Sequence, residues 1–299
     1  MHADTAAVYA VADAAVSGVP DIAVLDAVDH HDLRIDLRRG AAFGDAINVV
    51  TIVPAELAAA QRDYPIVLRR DPFGKDARGA GSEAGSELAH PAQMPAQMPL
   101  QMPLQMVALL GLDRDENLFL EGAPDDMRWL DRHIPLVLQR GPFLIGRSDR
   151  DLAGDAVSPP RVHIDLGHPA IGADGGGEPV FLPQGGHSPY LDHIIRVLGL
   201  IDEAPTATAA MIDAFIAADL IEPLTLQIAL DETICYDVPD CYGISATRLA
   251  GLDAAALSRL NAAGVLGAAF MIAASLGNVA ALIERKNRKR FARPATVCA

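Results

Sequence analysis

Short apolar runs, separated by polar or proline-containing breaks, fill the first quarter of the chain. Residues 32–37 alternate apolar and polar side chains, the two-residue period of a half-buried strand. Residues 47–53 and 64–68 contain β-branched side chains and predict two more strands. Between them, Pro54 stands at a position that suits the first residue of a helix, so a short helix is predicted over 54–63. The pattern therefore predicts a strand–helix–strand unit.

The remaining pattern predicts more strands and then mostly helices. Strands are predicted at 107–112 and 117–120, as a hairpin, and at 142–147, 162–166, 179–182, 224–230 and 244–246. Helices are predicted at 127–139, interrupted by Pro135, at 191–198 and 211–216, divided by Gly199 and Pro205, and over 253–286. We therefore predict an α+β fold, with an N-terminal, mostly antiparallel sheet carrying short helices and a helical C-terminal region packed on it.

One main domain, residues 29–286, is predicted between two flanking segments. Residues 1–28 are assigned to an N-terminal extension and 287–299 to a basic tail. Within the domain, 76–106 is a low-complexity loop insertion that ends in four repeats, PAQM, PAQM, PLQM and PLQM. Proline at every fourth position prevents both a continuous helix and a strand ladder. A solvated loop is the simple interpretation, and a Met-rich tract that binds Cu(I) or a partner is the alternative.

The charge of the chain argues against one large class of partners. Its 39 acidic and 24 basic residues give a formal net charge of −15. Nucleic acid binding requires a basic surface that neutralises phosphates, so we expect no nucleic acid partner. About half of the residues, 51%, are hydrophobic, which is enough to bury a large core. The composition is typical of a soluble, acidic globular protein.

The cysteines and the N-terminus predict a cytoplasmic protein. The chain has three cysteines in no disulfide framework, as expected in a reducing compartment. Cys235 and Cys241 lie on either side of a predicted turn at 238–240, so the sequence leaves open whether they pair. The N-terminal residues lack the basic and apolar regions of a secretory signal peptide.

An uncharged segment near the C-terminus has two interpretations. Residues 262–283 contain no charged side chain over 22 positions, a length that can span a bilayer, and a basic run follows directly. A membrane-tethered scaffold is therefore one hypothesis. The segment is rich in alanine, however, and its glycines can divide it into two core helices. We favour buried core helices over a membrane anchor.

One short motif has the spacing of metal ligands. His163 and Asp165 match the His-x-Asp pair that binds iron in 2-oxoglutarate oxygenases, and alternate residues on a strand point the same way. His187 or His193 could supply a third ligand. The competing interpretation is that His163 is a surface strand residue and Asp165 begins a turn. No phosphate loop, dinucleotide fingerprint or nucleophile elbow occurs, so the sequence predicts no cofactor and identifies no catalytic residue.

Several short segments, taken in order, resemble the SapC family of bacterial proteins. In the first half they are FGDA at 43–46, VPAE at 53–56, YPIV at 64–67, VALLGL at 107–112 and ENLF at 116–119. Further on they include Trp129, HIP at 133–135 and RGPF at 140–143, then Ile164, Asp165, PVF at 179–181, GVL at 264–266 and ASL at 274–276. Two features depart from the family pattern: the PAQM/PLQM tract is an insertion, and His133 stands where tyrosine is usual.

The resemblance spans residues 29–286 and implies a soluble bacterial protein linked with surface-layer proteins, or with export and uptake at the cell envelope. It carries over no catalytic residue. We therefore expect a non-enzymatic accessory or binding protein whose partner is a protein of the envelope, of transport, or a modifying enzyme. The sequence leaves open a homo-oligomer. A metal-dependent enzyme built on His163 and Asp165 is the alternative from another class.

Overall fold

A computed structural model describes residues 20–70, 104–123, 126–131, 133–146, 160–172, 176–231 and 234–292. It confirms the predicted α+β class, with antiparallel sheets, short helices and a helical C-terminal region. Most of the predicted extension and insertion, including the repeats at 91–103, lies outside the described residues. Residues 293–299 of the predicted basic tail also lie outside them.

The main sheet has five strands: β3 (Val49–Thr51), β4 (Ile66–Arg70), β5 (Leu104–Leu109), β11 (Ile221–Ala229) and β12 (Cys235–Ile244). Their order across the sheet is β11-β12-β4-β5-β3, and every neighbouring pair is antiparallel. The central strands β4 and β5 carry nearly continuous buried side chains, as expected where both faces of a sheet are covered.

The predicted strand–helix–strand unit is confirmed. A 3-10 turn (Pro54–Glu56) and helix α1 (Leu57–Ala60) connect β3 to β4. The predicted hairpin of 107–112 with 117–120 is wrong, because β5 pairs with β3 on one side and β4 on the other. Both partners of β5 are distant in sequence, and a local hairpin pattern cannot reveal such pairing.

The described residues also form three smaller sheets. The antiparallel sheet β1-β9-β8 consists of β1 (Ile22–Val24), β8 (Phe143–Gly146) and β9 (Arg161–Asp165). Two-stranded sheets pair β2 (Arg34–Ile35) with β10 (Glu178–Pro179) and β6 (Leu120–Ala123) with β7 (Asp126–Trp129). Part of the segment assigned to the N-terminal extension thus belongs to a sheet, since β1 pairs with β9. Helix α2 (Leu136–Gln139) follows β7 and begins after Pro135.

Helix α3 (Pro189–Ala217) joins two parts of the hydrophobic core. The sequence predicts two helices here, but Gly199 and Pro205 both lie inside one helix of 29 residues. Its first half packs into a cluster with the β1-β9-β8 sheet, and its last turns pack into the main core. Pro205 is exposed, so its ring faces solvent, and burial of apolar side chains on both halves outweighs the hydrogen bond that proline removes.

Strand β12 settles the state of two cysteines. The predicted turn at 238–240 is a β-bulge, where the register with β11 shifts and Asp240 has a φ of 56°. Cys235 and Cys241 lie six residues apart on this one strand, a separation of roughly 20 Å. A disulfide needs Cα atoms within about 7 Å, so the two cannot pair, and both are free.

The C-terminal region forms helices α4 (Ala246–Ala250), α5 (Ala254–Ala262), α6 (Leu266–Ser275) and α7 (Val279–Ala292), with a 3-10 turn between the last two. Within the described residues, Leu266–Phe291 is one helical segment long and apolar enough, by length and composition, to cross a membrane. Its inner face packs on the main core through Ala269 and Ile272, which are fully buried. Asn278 Nδ2 donates to the carbonyls of Gln61 and Tyr64, at 2.9 and 3.0 Å.

Candidate functional site

The structure places the two predicted metal ligands of β9 in separate local contacts. His163 is 7% exposed, so its interpretation as a surface residue is wrong. Its Nδ1 lies 3.2 Å from the Arg161 carbonyl oxygen, and its ring packs directly over Gly146, where an added Cβ would lie 2.3 Å from Cε1. The carboxylate of Asp165 accepts hydrogen bonds from the backbone N–H groups of Asp21 and Gly167, at 2.9 and 3.0 Å.

The two further histidines also have local partners. His187 Nδ1 lies 3.3 Å from Asp192, and His193 Nε2 lies 3.0 Å from Gln139 Oε1. Across the described part of the chain, no three His, Cys, Asp or Glu side chains are grouped so that they could hold a metal ion. The structure thus does not assemble the predicted His-x-Asp site.

A buried polar network forms instead where several SapC-like segments meet. We call it the Glu56 network; its members are Glu56, Tyr64, Trp129 and His133. The Glu56 carboxylate is 2% exposed and accepts three hydrogen bonds: from Val53 N at 3.0 Å, Leu136 N at 2.8 Å and His133 Nε2 at 2.6 Å. A carboxylate only accepts, so Nε2 carries the shared proton. Glu56 therefore ties α1 to the segment that precedes α2.

Tyr64 extends the network to the only tryptophan of the chain. Its hydroxyl donates to the His133 carbonyl oxygen and accepts from Trp129 Nε1 at 2.9 Å. Burial raises the pKa of Tyr64 far above its usual value near 10. The phenol therefore stays protonated at physiological pH, where it fixes Trp129 and β7 rather than acting as a base.

An aromatic and ionic layer lies next to the network. Phe119 packs edge-on against Tyr64, with ring centroids 4.8 Å apart, and stacks with Trp129 at 6.5 Å. The guanidinium of Arg285 lies 4.4 Å from the Phe119 ring centroid and binds both oxygens of Asp131, at 2.8 and 3.0 Å. Burial, and then the charge of Asp131, raise the pKa of neighbouring Asp63. Helix α7 is thereby joined to the segment that carries the network.

A second cation of α7 is buried between carboxylates. Lys286 is 5% exposed; its Nζ contacts Asp113 and lies 2.9 Å from both oxygens of Glu116. Burial alone would lower the pKa of Lys286, but hydrogen bonds to Asp113 and Glu116 raise it. Gly111 allows this arrangement, because a Cβ there would lie 2.2 Å from the Glu116 carbonyl oxygen. Lys286 is therefore a charged bridge at neutral pH between α7 and the loop after β5.

The exchange of Tyr64 for phenylalanine tests the network. We expect Tyr64→Phe to lower the free energy of unfolding by about 1–3 kcal/mol, because it leaves the Trp129 indole N–H and the His133 carbonyl without a partner. The chain has one tryptophan, so its fluorescence reports both the unfolding curve and the change around Trp129. Tyr242→Phe is the matched control. A Tyr64→Phe protein as stable as that control, with unchanged emission, would contradict the role of the hydroxyl.

The hydrogen bond between Asp113 and Lys286 predicts that the stability of the fold decreases in acid. Their hydrogen bond holds the pKa of Asp113 below its usual value near 3.9. A carboxylate with a lowered folded-state pKa contributes stability that is present above about pH 4 and is lost as the pH falls through the folded value. We expect Asp113→Asn to flatten the fall of stability below pH 4, measured by denaturant titration from pH 5 to 2. Asp213→Asn, at an exposed position, should leave the slope unchanged.

In the sequence, the four members of the Glu56 network stand out only as parts of segments that resemble the SapC family. The one local signal is Pro54 at the first helical position, followed by Glu56 in the first turn. In the structure Glu56 accepts a hydrogen bond from the Val53 N–H, but the valine side chain has no acceptor that could complete a capping box. No sequence pattern joins Tyr64 to His133, since 69 positions separate them. Arg285 and Lys286 were part of a basic run whose partners are more than 150 positions away.

The comparison with protein families accounts for these segments. The SapC family model matches residues 25–77 and 93–282. The interruption at 78–92 precedes most of the PAQM/PLQM tract, and the match ends within α7. No curated protein and no solved structure gives a significant match. All four members of the Glu56 network lie inside the matched residues. Because the match covers most of the chain, the protein belongs to the SapC family.

Proposed function

We propose that the protein is a non-enzymatic accessory or binding protein that serves surface-protein biogenesis or transport at the cell envelope. One observation carries the proposal: the most buried carboxylate of the site, Glu56, holds three protein donors and positions the surrounding backbone. A general base needs a lone pair directed at a substrate. Glu56 uses its oxygens to hold α1, His133 and α2 together, which suits a structural support better than a group that exchanges protons with a substrate.

Tyr64 supports the same conclusion. Its raised pKa and its two hydrogen bonds suit a rigid structural group better than an acid or base that exchanges protons near neutral pH. The half-buried Trp129 and the ion pair of Arg285 with Asp131 then form a preorganised surface beside it. Aromatic and arginine side chains held in this way are enriched where proteins bind each other.

Affinity capture from a native bacterial host tests the proposal. The full chain, tagged and crosslinked in cells, should retain an envelope, transport or modifying-enzyme protein, identified by mass spectrometry. An unrelated tagged protein of similar size and acidity is the control bait. If repeated captures yield no protein of these classes above the control, the accessory function is wrong.

Cell fractionation separates this proposal from a membrane-tethered scaffold. We propose a cytoplasmic protein, because the polar residues within Leu266–Phe291 contact the body of the fold: Ser275 bonds to Ile66, Asn278 to Tyr64 and Lys286 to Glu116. Crossing a bilayer would break these contacts. The full chain should therefore stay in the supernatant after high-speed centrifugation, whereas a pellet released only by detergent would establish the tether.

A further inference from the structure

Four cations of helix α7 lie against four carboxylates of the rest of the chain. We call the acidic partners the carboxylate surface: Asp113, Glu116, Asp131 and Asp231. Arg285 binds Asp131, Lys286 binds Asp113 and Glu116, Lys289 approaches Glu116 at 3.5 Å, and Arg290 binds Asp231 at 2.9 Å. The cations recur at i, i+1, i+4 and i+5, so they line one side of the helix.

The surface is more than a group of acids. The Phe119 ring lies under the guanidinium of Arg285, and the Tyr236 ring lies 5.7 Å from Lys286 Nζ. Aromatic rings next to carboxylates recognise cations through both charge and the π face. In this structure the surface holds the basic side chains of α7 through both carboxylates and aromatic rings.

The outer turns of α7 are held more weakly than its start. Near the start of α7, Leu282 is fully buried. Among residues 284–291, all of which the structure describes, Lys286 alone is buried. Lys289 is 53% exposed and approaches the buried Glu116 only at 3.5 Å, and the side chains of Arg290 and its partner Asp231 are 28% and 41% exposed. Exposed ion pairs contribute only about 0–1 kcal/mol each and weaken with salt. Such a segment opens locally more easily than the core.

The family model matches the residues of the carboxylate surface but not the four cations of α7 that cover it. Asp113, Glu116, Asp131 and Asp231 all lie within residues 93–282, which match the SapC family model. The four cations lie beyond residue 282, outside the match. The acidic surface thus lies within the residues that the family model matches, whereas the four cations that cover it lie after the end of that match.

We infer that the carboxylate surface is a docking site for a basic helix of a partner protein, and that α7 occupies it as an internal competitor. The inference rests on the proposed binding function and names the chemistry of its partner: a helix with Arg or Lys at i, i+1, i+4 and i+5. A tethered competitor acts at an effective concentration in the millimolar range. The apparent affinity of an external helix equals its intrinsic affinity multiplied by the fraction of molecules in which α7 has opened. The smaller that fraction, the weaker the observed binding.

A peptide of residues 279–292, labelled with a fluorophore, provides the probe. Its binding to the full chain is measured by fluorescence anisotropy at low salt. The test variant is K289Q/R290Q, which weakens the outer contacts of α7 without adding negative charge. Arg288→Gln is the matched control, because Arg288 is an exposed cation on the outward side of the same helix. A second peptide with glutamine at the four cation positions tests specificity.

We expect the peptide to bind K289Q/R290Q about tenfold more tightly than the wild type or Arg288→Gln, the size of effect that two weak ion pairs can produce. The glutamine peptide should not bind. Equal dissociation constants for the three proteins, or equal binding of both peptides, would overturn the inference.

Hydrogen exchange of the wild-type chain gives an independent readout that needs no variant. Amides of 284–292 should exchange faster as salt rises, while those of α6 stay protected. Equal protection of both segments at every salt concentration would also overturn the inference.

The two proposals fail separately: capture of an envelope partner without peptide binding removes the docking site alone. Peptide binding without any such partner removes the accessory function alone.

Discussion

Replacing Lys286 by alanine is expected to lower the free energy of unfolding by about 3 kcal/mol, the low end of the range for breaking a buried ion pair. The side chain is 7% exposed and touches both oxygens of Glu116, which is itself 9% exposed. Without the ammonium, Glu116 must remain charged in a buried position or take up a proton. Lys289, 3.5 Å from Glu116, compensates only in part, because its own side chain is 53% exposed.

Chemical denaturation of Lys286→Ala, beside Arg288→Ala, measures this effect. The control removes an exposed cation from the same helix and should change stability by no more than about 0.5 kcal/mol. Adding Glu116→Gln to Lys286→Ala should recover part of the loss, because the uncompensated charge is then gone. A Lys286→Ala protein within about 1 kcal/mol of the wild type would show that the buried pair contributes little.

Removal of the Glu56 carboxylate is expected to have a similar effect, about 3 kcal/mol or more. Glu56→Ala leaves three donors without a partner: the backbone N–H groups of Val53 and Leu136 and the Nε2–H of His133. An unsatisfied buried donor costs about 1–3 kcal/mol. The exchange also frees the segment that holds Trp129, so the fluorescence of the native state should change as well.

Glu56→Gln separates the shape of the side chain from its charge. The amide oxygen can still accept from one backbone N–H, but its NH2 group faces at least one donor, so an intermediate loss of stability is expected. Glu203→Ala, at an exposed position of α3, is the control and should be close to neutral. If Glu56→Ala unfolds at the same denaturant concentration as Glu203→Ala, the network does not stabilise the fold.

The local part of the fold was predictable because it depends on neighbours in the chain. The β-branched runs and Pro54 predicted β3, α1 and β4, and the structure contains all three. Two errors have a common physical cause. The local pattern predicts that β5 pairs with the next segment of the chain, whereas β5 pairs with β3 and β4. The local preference of Pro205 predicts a helix break, but packing of apolar side chains on both halves of α3 outweighs that preference.

The candidate site was less predictable than the fold. The sequence drew attention to His163 and Asp165 because they stand two positions apart, but each has its own local partners. Glu56 and His133 are 77 positions apart, and no pattern in either segment predicts that their side chains form a hydrogen bond. Hydrogen-bond partners of this kind follow from the packing of α1, β7 and α2, which only the folded chain brings together.

By itself the sequence determined the α+β class, the acidic character and the family, because composition, hydrophobic period and ordered short motifs are properties of neighbouring residues. Only the tertiary structure decided what the polar residues do. In the folded chain the cations of the basic run lie on one helix and pair with four carboxylates. Glu56 and Tyr64 are buried, and their hydrogen bonds hold the segment that carries Trp129. The physical reason is that a charge or a hydrogen-bonding group acquires its role from the burial and the partners that long-range packing provides.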